Sequence, residues 1–145
     1  MSDRRSAYIG LERALFQSRA WLSLSGVAPQ VYLLLAGRVR KEKPTRHAKQ
    51  WRVLNNGKLE FTYLEAEHKY GISSPRFTRA ISQLVEHGFI DINHSGGGLG
   101  RDRSLYALVE RWRQWGAPEF KTMERPKGRR WTLPKTDSTN ENVVL

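Results

Sequence analysis

The stretch from residue 62 to residue 90 constrains the fold more than any other part of the chain, because it contains two helix patterns separated by only a few residues. Thr62 followed by Glu65 has the spacing of a capping box, in which the threonine side chain accepts a hydrogen bond from a free backbone N–H at a helix start. Gly71 suits the left-handed conformation that ends many helices. The first helix of the pair is therefore predicted to run from Thr62 to Gly71.

A second helix is predicted to begin almost immediately after this glycine and to end at Gly88. Ser73 or Ser74 can cap its start, and Pro75 fits the first turn, where a missing N–H costs nothing. Apolar residues recur at spacings of three, four, seven and eight, which places them in one stripe along the helix. The stripe consists of Phe77, Ala80, Ile81, Leu84 and Val85. Two short helices joined by a tight, glycine-containing turn predict a helix-turn-helix.

The residues after Gly88 predict a β-hairpin. Ile90-Asp91-Ile92 alternates as a strand does, and the segment 105–108 can return beside it. The connection between them is rich in glycine and carries Arg101 and Arg103. The order of helix, turn, helix, strand, basic loop and strand predicts a fold that is mainly α with a small antiparallel β-sheet, an α+β class.

The pattern from Gly71 to Ile90, with the hairpin after it, resembles the winged helix-turn-helix domains of bacterial transcription regulators and of plasmid or phage replication proteins. The specific motifs cover about the middle third of the chain, and a looser likeness extends from Trp21 to Trp115. The resemblance implies binding of double-stranded DNA, with the second helix in the major groove. It leaves open whether such a protein regulates transcription or initiates replication.

The polar side of the second helix supplies residue types that read DNA. Arginine can bond guanine through two hydrogen bonds, glutamine can pair with adenine, and serine or threonine can contact bases or phosphates. Two wing arginines spaced two apart face one side of an extended loop, where they could meet a phosphate or a minor groove. The simpler alternatives are an ordinary solvated helix face and a mobile loop. The predicted DNA-binding residues are Ser74, Arg76, Thr78, Arg79, Ser82, Gln83, Arg101 and Arg103.

The positive charge of the chain is unevenly distributed. The formal net charge is +11, and residues 38–58 carry eight Lys or Arg against one Glu, which gives +7. Residues 59–88 carry three Lys or Arg against four Glu, and residues 89–135 carry ten Lys or Arg against five Asp or Glu. The candidate recognition unit is thus nearly neutral, whereas both of its flanks are basic. Such flanks can neutralise phosphates while a polar helix reads base edges.

Composition shifts divide the chain into three parts. Residues 1–27 are predicted to be an N-terminal extension with short helical turns, residues 28–115 the winged helix-turn-helix domain, and residues 116–145 a basic, flexible tail. Within the domain, the first full helix is expected over residues 29–40, largely buried, and a charged loop over residues 41–50. An Asn-Asn-Gly turn at 55–57 predicts a hairpin between the segments 51–54 and 58–61, the second of which could also join the wing sheet.

Several classes of function find no support in the sequence. There is no cysteine, the four histidines are scattered without metal-ligand spacing, and no nucleophile, base and acid can be placed together. The glycine-rich segment 96–100 lacks the Gly-Lys-Ser/Thr ending of a phosphate-binding loop. We therefore expect no enzyme activity, no metal, no cofactor and no small-molecule ligand. No apolar run is long enough to span a membrane and no signal peptide is evident, so a cytoplasmic location without membrane contact is expected.

The expected partners are double-stranded DNA and a second copy of the chain, because many winged-helix proteins bind palindromes as dimers. Trp112, Trp115 and the N-terminal apolar segment are the candidate dimer contacts. Two alternatives remain open. One is a protein-interaction module that uses the same fold. The other is a single-stranded nucleic acid or RNA binder that stacks bases on Trp112, Trp115 and Trp131, although tryptophan in a small domain more often packs in the core.

Overall fold

Helices and short strands alternate along the chain in the computed structural model, which describes residues 7–94 and 104–123 of the 145 residues. Within these ranges the helices are α1 (Arg13–Phe16), α2 (Arg19–Leu22), α3 (Ala28–Ala36), α4 (Tyr63–Tyr70) and α5 (Ser74–Glu86), with a 3₁₀ turn at Arg111–Gln114. The strands are β1 (Lys41–Glu42), β2 (Arg52–Val53), β3 (Leu59–Glu60), β4 (Ile90–His94) and β5 (Leu105–Leu108). This architecture confirms the expected α+β class with small antiparallel sheets.

The helix pair at the centre of the chain forms where its local signals predict it. The Thr62 hydroxyl accepts a hydrogen bond from the Glu65 backbone N–H at 3.0 Å, and Gly71 adopts the left-handed conformation with φ 69°. Helix α5 begins at Ser74, one residue after Ser73, whose side chain makes no capping bond. The whole predicted apolar stripe, from Phe77 to Val85, is buried. Three residues, 71–73, separate the two helices.

Three strands form a sheet beside this helix pair. Their order is β3-β5-β4, and both pairings are antiparallel. Leu59 lies opposite Tyr106, and Ile90 lies opposite Leu108. The expected hairpin strands β4 and β5 are thus confirmed, as is the possibility that the segment 58–61 joins them. The loop between them, residues 95–103, lies outside the described residues.

The predicted hairpin across residues 55–57 is wrong. Strand β2 pairs with β1, whereas β3 pairs with β5, so the two segments belong to different sheets. The asparagine side chains instead form hydrogen bonds with the backbone of distant segments. Asn55 accepts a bond from the Arg40 N–H at 2.7 Å and donates to the Arg38 carbonyl. Asn56 makes two hydrogen bonds with the backbone of Leu108, at 2.8 and 3.0 Å.

One continuous core joins the N-terminal segment to the sheet and helices. Leu15 and Ala20, which precede residue 28, are buried in the same cluster as helices α3 and α5. The rings of Trp21, Tyr32 and Phe89 meet edge to face at centroid distances of 5.4–5.7 Å. Aromatic rings arranged in this way add stabilisation beyond the area they bury. Side chains between Leu11 and Val27 therefore pack onto the core of the domain.

Helix α3 is the buried helix that the sequence predicts, but it is shorter than expected. It ends at Ala36, where the prediction extends to residue 40. Beyond its end, Arg38 makes two hydrogen bonds with the Glu65 carboxylate, at 2.9 and 2.6 Å, and its guanidinium lies 4.4 Å from the centre of the Phe61 ring. A two-bonded arginine–carboxylate pair has a fixed geometry. The ion pair therefore links the residues just after α3 to the first turn of α4.

Replacing Glu65 by glutamine is expected to lower the free energy of unfolding at neutral pH by about 1 kcal/mol, the upper range for a partly exposed ion pair. The hydrogen bond from Arg38 holds the pKa of the Glu65 carboxyl below its ordinary value of 4.5. The folded state therefore favours the charged form of Glu65. The contribution of the ion pair to stability is present above pH 4.5 and is lost as the pH falls through the lower pKa of the folded state.

Urea denaturation across this acid range, on the wild type and the variant, measures the effect. The two stability curves should converge as the pH falls. Glu67→Gln, an exposed position on the same helix, is the matched control and should change little. A difference between wild type and Glu65→Gln that stays constant into strong acid would contradict the assignment.

Candidate nucleic-acid interface

The first half of α5 presents a polar surface to solvent. Ser74, Pro75, Arg76 and Arg79 are exposed, whereas the apolar stripe on the opposite side is fully buried against the core. This arrangement follows from the helical period, since residues three or four apart share a face. Two arginines one turn apart therefore project from the same side of the helix.

The turn before α5 supports the first of these arginines, Arg76. The Arg76 guanidinium donates to the Gly71 carbonyl at 3.3 Å, so its side chain lies along the turn. Thr78 is half-buried, and its hydroxyl lies 2.8 Å from the Tyr63 hydroxyl in a hydrogen bond that joins α5 to α4. Thr78 thus already has a protein partner, while Ser82, also half-buried, lies one turn further along.

The Gln83 side chain, predicted to read bases, makes hydrogen bonds within the protein's own chain. Its side-chain oxygen accepts a bond from the Ser25 N–H at 2.9 Å, and its nitrogen donates to the Ser25 hydroxyl at 3.1 Å. Position 83 lies on the border of the apolar stripe, beside the loop between α2 and α3. The glutamine therefore links that loop to α5, and the candidate surface on α5 narrows to its first half.

The two remaining candidates lie in the sequence between β4 and β5. Arg101 and Arg103 fall within residues 95–103, outside the described residues. The strands that lead into and out of this segment are in place, since β4 ends at His94 and β5 begins at Leu105. Their pairing contains an irregularity between Ile92 and His94, immediately before the loop.

Trp112 and Trp115 pack against other parts of the protein's own chain. Trp112 is 5% exposed and stacks on Phe89 with ring centroids 5.9 Å apart. Trp115 is half-buried and stacks on His87 at 5.0 Å. Trp112 is therefore unsuited both to base stacking and to dimer contact, and packing within the chain accounts for it. Trp131 lies outside the described residues.

The basic segment 38–58 is more structured than its sequence suggests. Residues 41–50, predicted as a loop, include β1, which pairs with β2 to make a two-stranded ribbon. Arg38 is paired with Glu65, and Arg52 with Glu42. The exposed cations of the segment are Arg40, Lys41, Lys43, Arg46, Lys49, Arg52 and Lys58. The sequence predicts that these cations neutralise phosphates but does not single out Trp51. Its place between Lys49 and Arg52 is the signal that could have identified it.

The described part of the chain shows no other arrangement with evident chemistry. Among residues 7–94 and 104–123, no group of three or more His, Asp or Glu side chains is placed to hold a metal ion. Helices long and apolar enough to cross a lipid bilayer are likewise absent from these ranges. No protein-family model, curated protein or solved structure matches this chain.

Proposed function

We propose that this protein binds double-stranded DNA sequence-specifically as a winged helix-turn-helix, with α5 in the major groove. The observation that carries the proposal is the division of α5, whose first half exposes Arg76 and Arg79 while its apolar stripe is completely buried. At about 1.5 Å per residue, its 13 residues give a rod of about 20 Å that a major groove admits.

The connectivity around α5 supports the same proposal. A three-residue turn precedes α5, and a hairpin of β4 and β5 follows it, with β3 completing a sheet of order β3-β5-β4. The loop of this hairpin contains Arg101 and Arg103, which we assign to the adjacent backbone or minor groove. Arginines at both places would let one element read bases while the other fixes the register on phosphates.

The biological role we propose is regulation of transcription or initiation of plasmid or phage replication, in the cytoplasm and as a homodimer. Trp112 is buried in its own chain, so it is removed from the proposed dimer contacts. The N-terminal segment remains, since Phe16 and Leu22 are 37% and 71% exposed. Light scattering on the purified protein, alone and with a palindromic duplex, measures the stoichiometry.

The double variant Arg76→Ala with Arg79→Ala is expected to weaken specific DNA binding by about five-fold or more, because one lost two-bonded contact to guanine costs about 1–3 kcal/mol. Duplexes selected from a random pool by the wild type provide the target. Binding of wild type and variant to this target and to a scrambled duplex is then measured by fluorescence anisotropy. The variant should also lose the preference for the selected target over the scrambled duplex.

The matched control is Arg13→Ala with Arg19→Ala, which removes the same charge from exposed positions on α1 and α2. This control should keep the sequence preference. Equal losses in both double variants would mean that net charge alone attracts DNA. If the wild type selects no sequence from the pool, the proposal is wrong, and a protein-interaction role becomes the better explanation of the fold.

A further inference from the structure

A basic two-stranded ribbon projects from the domain between α3 and β3. This basic ribbon, residues 40–53, carries six Lys or Arg against one Glu, which gives +5. Its strands pair with Lys41 opposite Val53 and Glu42 opposite Arg52. Glu42 is bound by Arg52 across the ribbon, so the one acidic side chain is already neutralised by a partner. The surface that remains is cationic.

An exposed indole lies on this cationic surface. Trp51 is 58% exposed, and the Lys43 ammonium lies 5.4 Å from the centre of its ring. A tryptophan of the core would bury most of its large apolar surface, as Trp112 does. Aromatic rings set among cations are instead the surface that single-stranded nucleic acids use, because bases stack on the rings while phosphates meet the charges.

A groove beside the ribbon extends this surface. It has a volume of about 770 Å³, and Trp51, Val53 and Tyr8 line it together with Arg40 and Lys41. Tyr8 is 84% exposed, so a second aromatic ring is accessible there.

Two carboxylates also line the groove, but both are bound to the same cation. Glu12 and Glu110 are hydrogen-bonded to the Arg113 guanidinium. The bond from Arg113 lowers the pKa of the Glu12 carboxyl. The groove therefore combines aromatic faces and positive charge, with its negative charge paired.

The groove lies beside the residues that follow α5, whereas the exposed arginines are in the first half of that helix. Its lining includes Leu108 and Trp112, and the Trp112 N–H donates to the carbonyl of Gly88, where α5 ends. The beginning of α5 packs elsewhere, with Phe77 against Phe61 at 5.0 Å. A ligand in the groove would thus leave the first half of α5 uncovered.

From these observations we infer that the basic ribbon and its groove bind an unpaired nucleic-acid strand. Trp51 and Tyr8 stack bases, and the cations of the ribbon contact the flanking phosphates. A duplex would engage the cations but could not offer its base faces to Trp51, because they are stacked inside the helix. This surface is separate from α5, and its binding does not depend on the proposed function of α5.

Trp51→Ala in the full-length protein is expected to weaken binding of a fluorescently labelled oligothymidylate by about five- to one-hundred-fold, the range for stacking one base on an aromatic ring. Trp51→Phe keeps an aromatic face and should retain most of the affinity. Leu54→Ala, an adjacent and 48% exposed apolar position outside the groove lining, is the control and should match the wild type. Thermal unfolding of each variant checks that the fold is unchanged.

Parallel titrations distinguish binding at this surface from binding at α5 and show whether the bound strand is DNA or RNA. Arg76→Ala with Arg79→Ala should leave oligothymidylate binding unchanged, and Trp51→Ala should leave binding of the selected duplex unchanged. An oligouridylate titration shows whether the strand is DNA or RNA, and tighter binding of either supports the proposal.

Three outcomes would overturn it: no saturable binding of either oligonucleotide, an affinity of Trp51→Ala equal to wild type, or self-association that Trp51→Ala abolishes. The last would identify the groove as an interface between two copies of the chain.

Discussion

Replacing Gly88 by alanine is expected to destabilise the protein by about 3–5 kcal/mol, because backbone strain and a backbone collision act together. Gly88 has φ 88°, a conformation that side-chain-bearing residues rarely adopt. A Cβ atom at this position would lie 2.6 Å from the Trp112 backbone nitrogen and 2.8 Å from the Arg111 carbonyl carbon. Neither atom belongs to a side chain that could rotate away.

Hydrogen bonds around Gly88 prevent its backbone from shifting to accommodate a Cβ atom. The N–H groups of Gly88 and Phe89 close α5 by donating to the carbonyls of Val85 and Leu84, and the Gly88 carbonyl accepts from Trp112. The glycine thus holds the end of α5, the start of β4 and the 3₁₀ turn together. Moving it would disturb all three elements.

Gly71→Ala is the matched control for this prediction. Gly71 has φ 69°, yet no atom lies within 4 Å of a Cβ built on it. Only the conformational cost remains, so the expected loss is about 1–2 kcal/mol. Urea denaturation of both variants measures the difference. If the two substitutions cost the same, the close approach of residues 111–112 to Gly88 is not present in solution.

Phe77→Ala is expected to cost about 3–5 kcal/mol, the usual range for deleting a buried phenylalanine ring. Phe77 is fully buried, and its ring meets those of Phe61 at 5.0 Å and Tyr63 at 4.8 Å. The loss would fall where α5 packs on α4, since Tyr63 begins α4 and Phe61 precedes it. The proposed DNA binding should be lost in parallel with unfolding, because this contact holds the exposed half of α5.

Leu64→Ala on the neighbouring helix supplies the comparison. Leu64 is 67% exposed, so its truncation should change stability by no more than about 0.5 kcal/mol. Both variants can be followed by urea denaturation monitored by circular dichroism. A cost for Phe77→Ala close to that of Leu64→Ala would show that α5 does not pack on α4 through this ring.

The two large predictions concern the same requirement of the candidate interface. The α5 helix makes a useful recognition surface only if its direction relative to the hairpin is fixed. Phe77 fixes its beginning against α4, and Gly88 fixes its end against the residues that follow β5. If the proposed function is correct, substitutions at Phe77 and Gly88 should lower DNA binding by lowering stability. Substitutions at Arg76 and Arg79 should lower DNA binding without changing stability.

The sequence alone determined the parts of this protein that depend on neighbouring residues. The capping threonine at 62, the left-handed glycine at 71 and the apolar stripe of α5 all act within one or two helical turns, so their pattern is legible in the chain. The hairpin of β4 and β5 is similarly local. Charge is also visible in the sequence, because the excess of Lys and Arg over residues 38–58 is a property of composition and does not depend on how the chain folds.

Only the tertiary structure decided which distant residues these elements contact. Gln83 bonds to Ser25 across 58 residues, and Asn56 bonds to Leu108 across 52. The Asn-Gly pair favours a hairpin locally, yet β2 pairs with β1 and β3 pairs with β5. Trp112 and Trp51 likewise both lie among basic residues in the sequence. Trp112 is buried against Phe89, whereas Trp51 is exposed to solvent. Such outcomes depend on long-range contacts, which compete in three dimensions and leave no local pattern in the chain.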